Sequence, residues 1–284
     1  MPKDTFNLPE YFALHSYLSA LLCGAFVLLP RSTPWLLGSA VQSSSSDRPE
    51  LAFLTPITSR PVATMLWDIS GMLLCMSWWG SIMRKWAQTP TKSKTQGEAE
   101  IAERIGRNSR MLSRMYECAL STAGGSFLLY TLILILGAPL DSHHAHSALL
   151  AVHISTLTVW PVVHALGVPS IYESGTFARF RMTRLFCEFR PETPLERALV
   201  YPVAGTLLGA WCGVIPIPLD WDRPWQGYPL TPAVSSILGF ILGGFASWLH
   251  SALLDTYDEV QQNHSAMAAD TVTSKKKRKT KRTY

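Results

Sequence analysis

The sequence predicts an all-α, polytopic membrane protein: a six-helix transmembrane bundle with both termini cytoplasmic. Three observations carry this. Of 284 residues, 48% are apolar and only 16% charged, whereas an ordinary soluble domain carries about 25% charge. The charges are clustered, leaving six windows nearly free of them, each about the length of the 20 or so residues that cross a bilayer as a helix. Finally, the basic residues fall almost entirely on one side of the arrangement those six windows define. Unpaired backbone groups are too costly in lipid for the spans to be anything but helical.

The first window is 12–29. Lys3, Asp4 and Glu10 precede it, and Pro30 and Arg31 follow it. Neither flank matches the basic entry and small-residue cleavage site of a signal peptide, so it reads as a retained helix. The second, 62–83, carries Asp68 inside "MLWDISGM". The third, 119–138, and the fourth, 148–168, are separated by the short loop "APLDSHHAHS", and the fourth contains His153 and His164. The fifth, 195–217, opens on Thr193, Pro194 and Glu196, a capping-box pattern with proline at the first helical position. The sixth, 232–254, repeats the Thr–Pro entry at Thr231–Pro232. The membrane domain is thus 1–260, and the basic remainder, 261–284, is expected to be an unstructured tail.

Orientation follows from the charges. Six spans put the N-terminus, the 84–118 loop, the 169–194 loop with Arg197, and the tail on one side, and these hold 21 of the 25 Lys and Arg residues. Arg31, Arg48, Arg60 and Arg223 make up the other side. The positive-inside rule places the rich side in the cytoplasm. The Ser-rich "SAVQSSSSDRPE", the "APLDSHHAHS" loop and the stretch "IPIPLDWDRPWQGYPL" then face the lumen or exterior. The sequon Asn263–His264–Ser265 falls in the cytoplasm and should stay unmodified.

The five cysteines are scattered through or beside apolar runs without a CxxC pair, which implies neither a disulfide framework nor a zinc site. His143, His144 and His146, with Asp141, form either a metal-binding loop or, as the short spacing favours, a solvated one. Asp68, His153, His164 and His15 are ionisable groups within or at the start of spans. Such groups are functional candidates by default; the plainer reading pairs Asp68 with a neighbouring helix, His153 being one partner in reach. Gly205, Gly209 and Gly213 recur every fourth residue, as do Gly239 and Gly243. Rows of this kind let helices approach closely, either the fifth against the sixth or both against a partner. Ile101, Ile105, Leu112 and Met115 fit an amphipathic helix on an anionic leaflet, or merely punctuate topology-setting charges. The tail "KKKRKTKRTY" suits anionic lipid, and Lys281–Arg282 approximates a retrieval signal for the endoplasmic reticulum. No nucleic-acid partner, cofactor or metal is expected. Phosphate-cradling lysine loops, GxSxG and HExxH are all absent from the sequence, so it offers no recognisable catalytic set.

Within "GAWCGVIPIPLDWDRPWQGYPL", the run Ile217, Pro218, Leu219, Asp220, Trp221, Asp222, Arg223, Pro224, Trp225 and Gln226 resembles the signature of the PIG-F family of glycosylphosphatidylinositol (GPI) biosynthesis proteins, in a fungal-type version. The following helix, "TPxxxSxxGxxxGG", also fits, the likeness being tight over roughly 195–250. Tyr228 stands where tryptophan is expected. The resemblance implies a multi-pass protein of the endoplasmic reticulum membrane. It would be a non-catalytic subunit that binds and stabilises the large transferases adding ethanolamine phosphate to the GPI glycan mannoses, enzymes with alkaline-phosphatase-like luminal domains. Membrane lipid and the GPI precursor are further expected contacts. On this reading Asp220 to Gln226 form a luminal docking turn, with Asp220 or Asp222 pairing Arg223 or backbone N–H groups to close it. Arg223 alternatively meets a lipid or glycan phosphate. The other class of reading is a small intramembrane enzyme or lipid carrier that uses Asp68, the histidines and this turn on GPI intermediates.

Overall fold

Helices form over all six apolar windows. The computed structural model describes residues 6–37, 53–88, 111–139, 142–169, 173–219, 221 and 223–280. The long helices are α1 (Leu8–Leu28), α2 (Pro61–Gln88), α3 (Met111–Ile135), α4 (His144–Leu166), α5 (Pro194–Cys212) and α6 (Leu230–Thr280). Among the described residues there is no strand. Four segments are long and apolar enough to cross a membrane: Leu8–Trp35, Leu112–Ile135, His144–Leu166 and Leu230–Ala266. Helices α2 and α5 fall outside that group. Asp68, Arg84 and Lys85 dilute the first, and Glu196 and Arg197 the second.

The boundaries shift for identifiable reasons. Helix α5 ends at Cys212, five residues short of the expected 217. Pro216 and Pro218 offer no N–H and bar continuation, so the chain descends in successive turns, with Val214 N–H donating to Trp211 O and Ile217 N–H to Val214 O. Helix α3 begins at Met111, inside the expected 84–118 loop; residues 89–110 of that loop, with Ile101 and Ile105, lie outside the described residues. Helix α6 runs on to Thr280 through the segment expected as a tail. Beyond Asp255 good helix formers such as Glu, Gln, Ala and Lys make up about half of it, and side chains are exposed from Leu253 through Ala266.

Helix α4 is the axis of the bundle. It packs against α2, α3, α5 and α6, and 78% of its most apolar stretch is buried, against 11% for α3. Helix α1 sits against α2 and α6, while α5 and α6 form the tightest pair. Tyr11, Leu18, Met72, Trp79, Leu157 and Phe240 are buried at the centre. Helix α3 leans on α4 and leaves Leu120, Phe127, Leu128 and Ile135 exposed, as expected of side chains that meet lipid.

Two local devices fix this frame. At the start of α5, Thr193 Oγ1 accepts the Glu196 N–H at 3.2 Å and Glu196 Oε2 accepts the Thr193 N–H at 3.3 Å, the capping box anticipated from sequence. The other carboxylate oxygen of the buried Glu196 accepts from Arg181 at 3.0 Å and from Arg184, so one residue caps α5 and anchors the preceding loop. At the other end of the chain, Tyr11 Oη donates to Gly244 O at 3.1 Å, and His15 Nε2 lies 3.0 Å from Ile241 O. A side chain at Gly244 would place Cβ only 2.0 Å from the His15 ring, so glycine is required for α1 to seat on α6.

Candidate functional site

The α5–α6 turn is organised from within by one side chain. Gln226 is buried. Its Oε1 accepts the Arg223 N–H at 2.8 Å, and its Nε2 donates to Pro216 O at 2.7 Å and to Leu219 O at 2.9 Å. The Arg223 N–H is thereby satisfied, and Pro216 O and Leu219 O, which also accept from the Leu219 and Trp221 N–H groups, each gain a second hydrogen bond. Pro224–Gln226 forms a single 3-10 turn, with Gln226 N–H donating to Arg223 O at 3.0 Å. Among the described residues, Gln226 supplies the side-chain closure. Asp220 and Asp222, expected to share in it, lie outside the described residues. A second tie reaches α4: Tyr228 Oη donates to Ser147 Oγ at 2.9 Å, and burial pushes the Tyr228 hydroxyl above its ordinary pKa, keeping it a donor.

The surface of the turn is aromatic and cationic. The Trp221 and Trp225 rings lie 5.8 Å apart at 52°, with Trp221 54% exposed. Arg223 is exposed, and among the described residues its guanidinium has no hydrogen-bond or ion-pair partner. Two indoles and an exposed guanidinium on a braced turn match the composition of binding hot spots. A reactive nucleophile–base pair is not found on the turn among the described residues.

The glycine rows face each other. A Cβ at Gly205 would lie 2.1 Å from Gly239 O, one at Gly209 2.1 Å from Ser235 O, and one at Gly239 2.0 Å from Gly205 O. At Gly213 and Gly243 the nearest atoms are Pro232 Cα and Tyr201 O, at 2.6 and 2.3 Å. This is backbone-to-backbone contact of α5 with α6, and it fixes the stems from which the turn projects.

Beneath the turn lies a buried polar file. His153 Nδ1 is 2.6 Å from Asp68 Oδ2, and His153 Nε2 is 2.7 Å from Ser236 Oγ. All three residues are wholly inaccessible. The file joins α2, α4 and α6. Ser236 Oγ also donates to Ala233 O at 2.7 Å. A hydroxyl has one proton; with that proton on Ala233, His153 Nε2 is the donor to Ser236, and one further proton is shared between His153 Nδ1 and Asp68. The file then carries no net charge, which is how such groups are tolerated in an apolar bundle. An acyl-transfer triad uses the same residue order but needs a serine proton directed at histidine and a reachable oxygen. The arrangement supplies neither.

His143, His144 and His146 open α4. His143 adopts a left-handed conformation at φ 59°, His144 Nδ1 lies 3.2 Å from Tyr130 Oη, and Asp141 lies outside the described residues. Among the described residues, no three His, Cys, Asp or Glu side chains converge to hold a metal. Sequence reasoning singled out Asp68 and His153 but missed Ser236, one of two adjacent serines in an apolar run, and the bracing role of Gln226. A polar residue amid apolar neighbours was the available signal for the first. For the second, the cluster of carbonyls around prolines was the only hint.

Residues 49–248 match the family described as GPI biosynthesis protein family Pig-F. The chain is 36% identical over 140 residues to glycosylphosphatidylinositol anchor biosynthesis protein 11 of Aspergillus fumigatus, covering 46% of this chain and 42% of that one. It is 30% identical over 204 residues to the protein of the same name from Neurospora crassa, covering 68% of each. It is also 30% identical over 135 residues to the mouse protein named GPI ethanolamine phosphate transferase, stabilizing subunit, covering 48% of this chain and 58% of that one. The chain thus spans about half the length of most of the curated relatives it matches. No solved structure matches.

Proposed function

Because the chain belongs to the PIG-F family of GPI biosynthesis proteins, we propose that it is a non-catalytic membrane subunit that binds and stabilises a GPI ethanolamine-phosphate transferase. The observation that carries this reading is the α5–α6 turn, internally braced by Gln226 while Trp221 and Arg223 face outward. Such a turn suits holding a partner better than chemistry. The relatives named as stabilizing subunits of GPI ethanolamine phosphate transferase point the same way.

On this proposal all six long helices span the endoplasmic reticulum membrane. Helices α2 and α5 cross despite their charges, Asp68 being met by His153 of α4 and Arg197 by Ser251 of α6. The basic ends and both termini face the cytoplasm, residues 1–260 form the membrane domain and 261–284 its basic extension. The α5–α6 turn then sits in the lumen, within reach of the large alkaline-phosphatase-like domain of the partner. Asp220, Trp221, Asp222, Arg223, Pro224, Trp225 and Gln226 are its contact set, with lipid and the GPI precursor as neighbours.

Gentle detergent purification of the tagged protein from its own membranes, followed by mass spectrometry, tests the proposal. A stoichiometric transferase with a large luminal domain is the expected result; a chain that purifies alone and turns over a GPI precursor would refute it. Arg223→Ala divides the roles of the turn. Lost association marks docking, whereas retained association with lost transfer marks contact with a phosphate of the substrate.

A second reading, an intramembrane enzyme, would rest on the Asp68–His153–Ser236 contacts alone, since the serine proton is directed at Ala233 O and the file is buried. Ser236→Ala separates the two. A nucleophile would lose all activity with the complex intact, whereas a structural file would lose stability and keep the activity of whatever complex survives.

A further inference from the structure

A second cluster of buried polar groups lies at the opposite end of the bundle, where α2 ends, α3 begins and α4 ends. Arg84 is only 5% exposed. Among the described residues its guanidinium makes one hydrogen bond, to His164 O at 3.3 Å, and its Nε has no partner. Arg114, in the first turn of α3, lies near enough for its charge to act on Arg84, and its Nε is also buried and unpartnered. Both arginines act on His164, whose Nε2 is 3.3 Å from Ser81 Oγ and whose Nδ1 is unpartnered. Gly80 leaves room for that ring, since a Cβ there would lie 2.8 Å from it. Among the described residues, Glu117 is the carboxylate that acts on Arg84; it is exposed and forms no ion pair with either arginine.

The plain account of Arg84 is a cap on the last carbonyls of α4, which a cation favours. That account uses one long bond out of five donors. It leaves a second guanidinium beside the first, at a helix N-terminus whose own dipole is positive. Like charges gathered away from water are costly unless an opposite charge completes the site. Depth indicates what that charge is. Helix α2 has 28 residues, about 42 Å at the helical rise, and so exceeds a hydrocarbon core of about 30 Å. Arg84, four residues from its end, therefore lies at headgroup level. Guanidinium forks match the tetrahedral oxyanion found there.

We propose that Arg84 and Arg114, with His164 beside them, form a binding site for a phosphate group, presented by a phospholipid headgroup of the adjacent leaflet. The site is distinct from the α5–α6 turn and does not depend on the transferase reading. The lipid would act as a structural ligand, closing the α2–α3–α4 corner.

The test uses the purified full chain in detergent with dioctanoyl phosphatidic acid, dioctanoylglycerol and inorganic phosphate as separate probes. The expected result is a saturable rise in Tm with dioctanoyl phosphatidic acid and none with dioctanoylglycerol. Arg84→Gln with Arg114→Gln should weaken that response at least tenfold. A full response to inorganic phosphate alone would assign the site to a soluble anion and overturn the lipid assignment. Arg84→Met keeps the test decisive if variants are unstable. Without lipid it should melt no lower than wild type, because an unpaired charge has been removed, yet gain nothing from the phosphatidic acid. If it melts several degrees lower and still responds to the lipid as wild type does, Arg84 is only a cap and the site is refuted.

Discussion

At the scale of single residues, the decisive groups are polar ones placed where water is absent. Asp68, His153 and Ser236 form one uncharged file through three helices. Removing one member strands the others, whereas removing the pair does not. Asp68→Leu or His153→Leu alone should cost about 3 kcal/mol or more. The double variant should recover most of that loss, as read by thermal unfolding in detergent, and any transferase activity should follow the amount of assembled complex. Gln226 makes the parallel case at the turn. Gln226→Leu leaves the Arg223 N–H unpaired, costing about 1–3 kcal/mol if it stays buried, and strips one of two hydrogen bonds from each of Pro216 O and Leu219 O. The expected outcome is a turn that opens to water and loses the partner in co-purification even though Trp221 and Arg223 are untouched. Asp68 was legible in the sequence because a carboxylate inside an apolar window is conspicuous. Ser236 was not, since serine is common in membrane helices and only its distance from His153 gives it meaning.

At the scale of elements, α5 and α6 behave as one unit. Their glycines approach so closely that a Cβ at Gly209 or Gly239 would meet backbone oxygen at 2.1 or 2.0 Å. Backbone cannot rotate away as a side chain can, so the helices themselves must separate. Gly209→Ala and Gly239→Ala should each destabilise the bundle by about 1–3 kcal/mol, lowering Tm, while Gly124→Ala, with nothing within 4 Å, should not lower Tm, alanine being the better helix former. The spacing of these glycines was plain in the sequence. Which surface they served was not, because an internal neighbour and an external partner call for the same small residues. The boundaries of α5 show a similar divide. Its start was set locally by Thr193, Pro194 and Glu196, whereas its end depended on where the prolines of the turn let the backbone bonds run out.

At the scale of the whole molecule, the basic residues and the fold tell one story. The loop anchored on Glu196 by Arg181 and Arg184 and the corner holding Arg84 and Arg114 lie on the side that the charge asymmetry assigns to the cytoplasm. The orientation is open to a direct check at Asn263. Asn263→Gln should leave electrophoretic mobility unchanged and endoglycosidase should have no effect, whereas a shift abolished by the substitution would invert the bundle.

Hydrophobic windows, charge asymmetry, the capping box and the signature Ile217 to Gln226 were sufficient, from sequence, for a helical membrane protein of this family, because each acts over one or two turns of chain or through composition alone. Pairing was another matter. That His153 meets Asp68 and Ser236, separated by 85 and 83 residues, that Gln226 braces the turn, and that two arginines 30 positions apart share one corner were decided only when the helices packed. Burial gives a polar group its energy, and burial is a property of the assembled bundle.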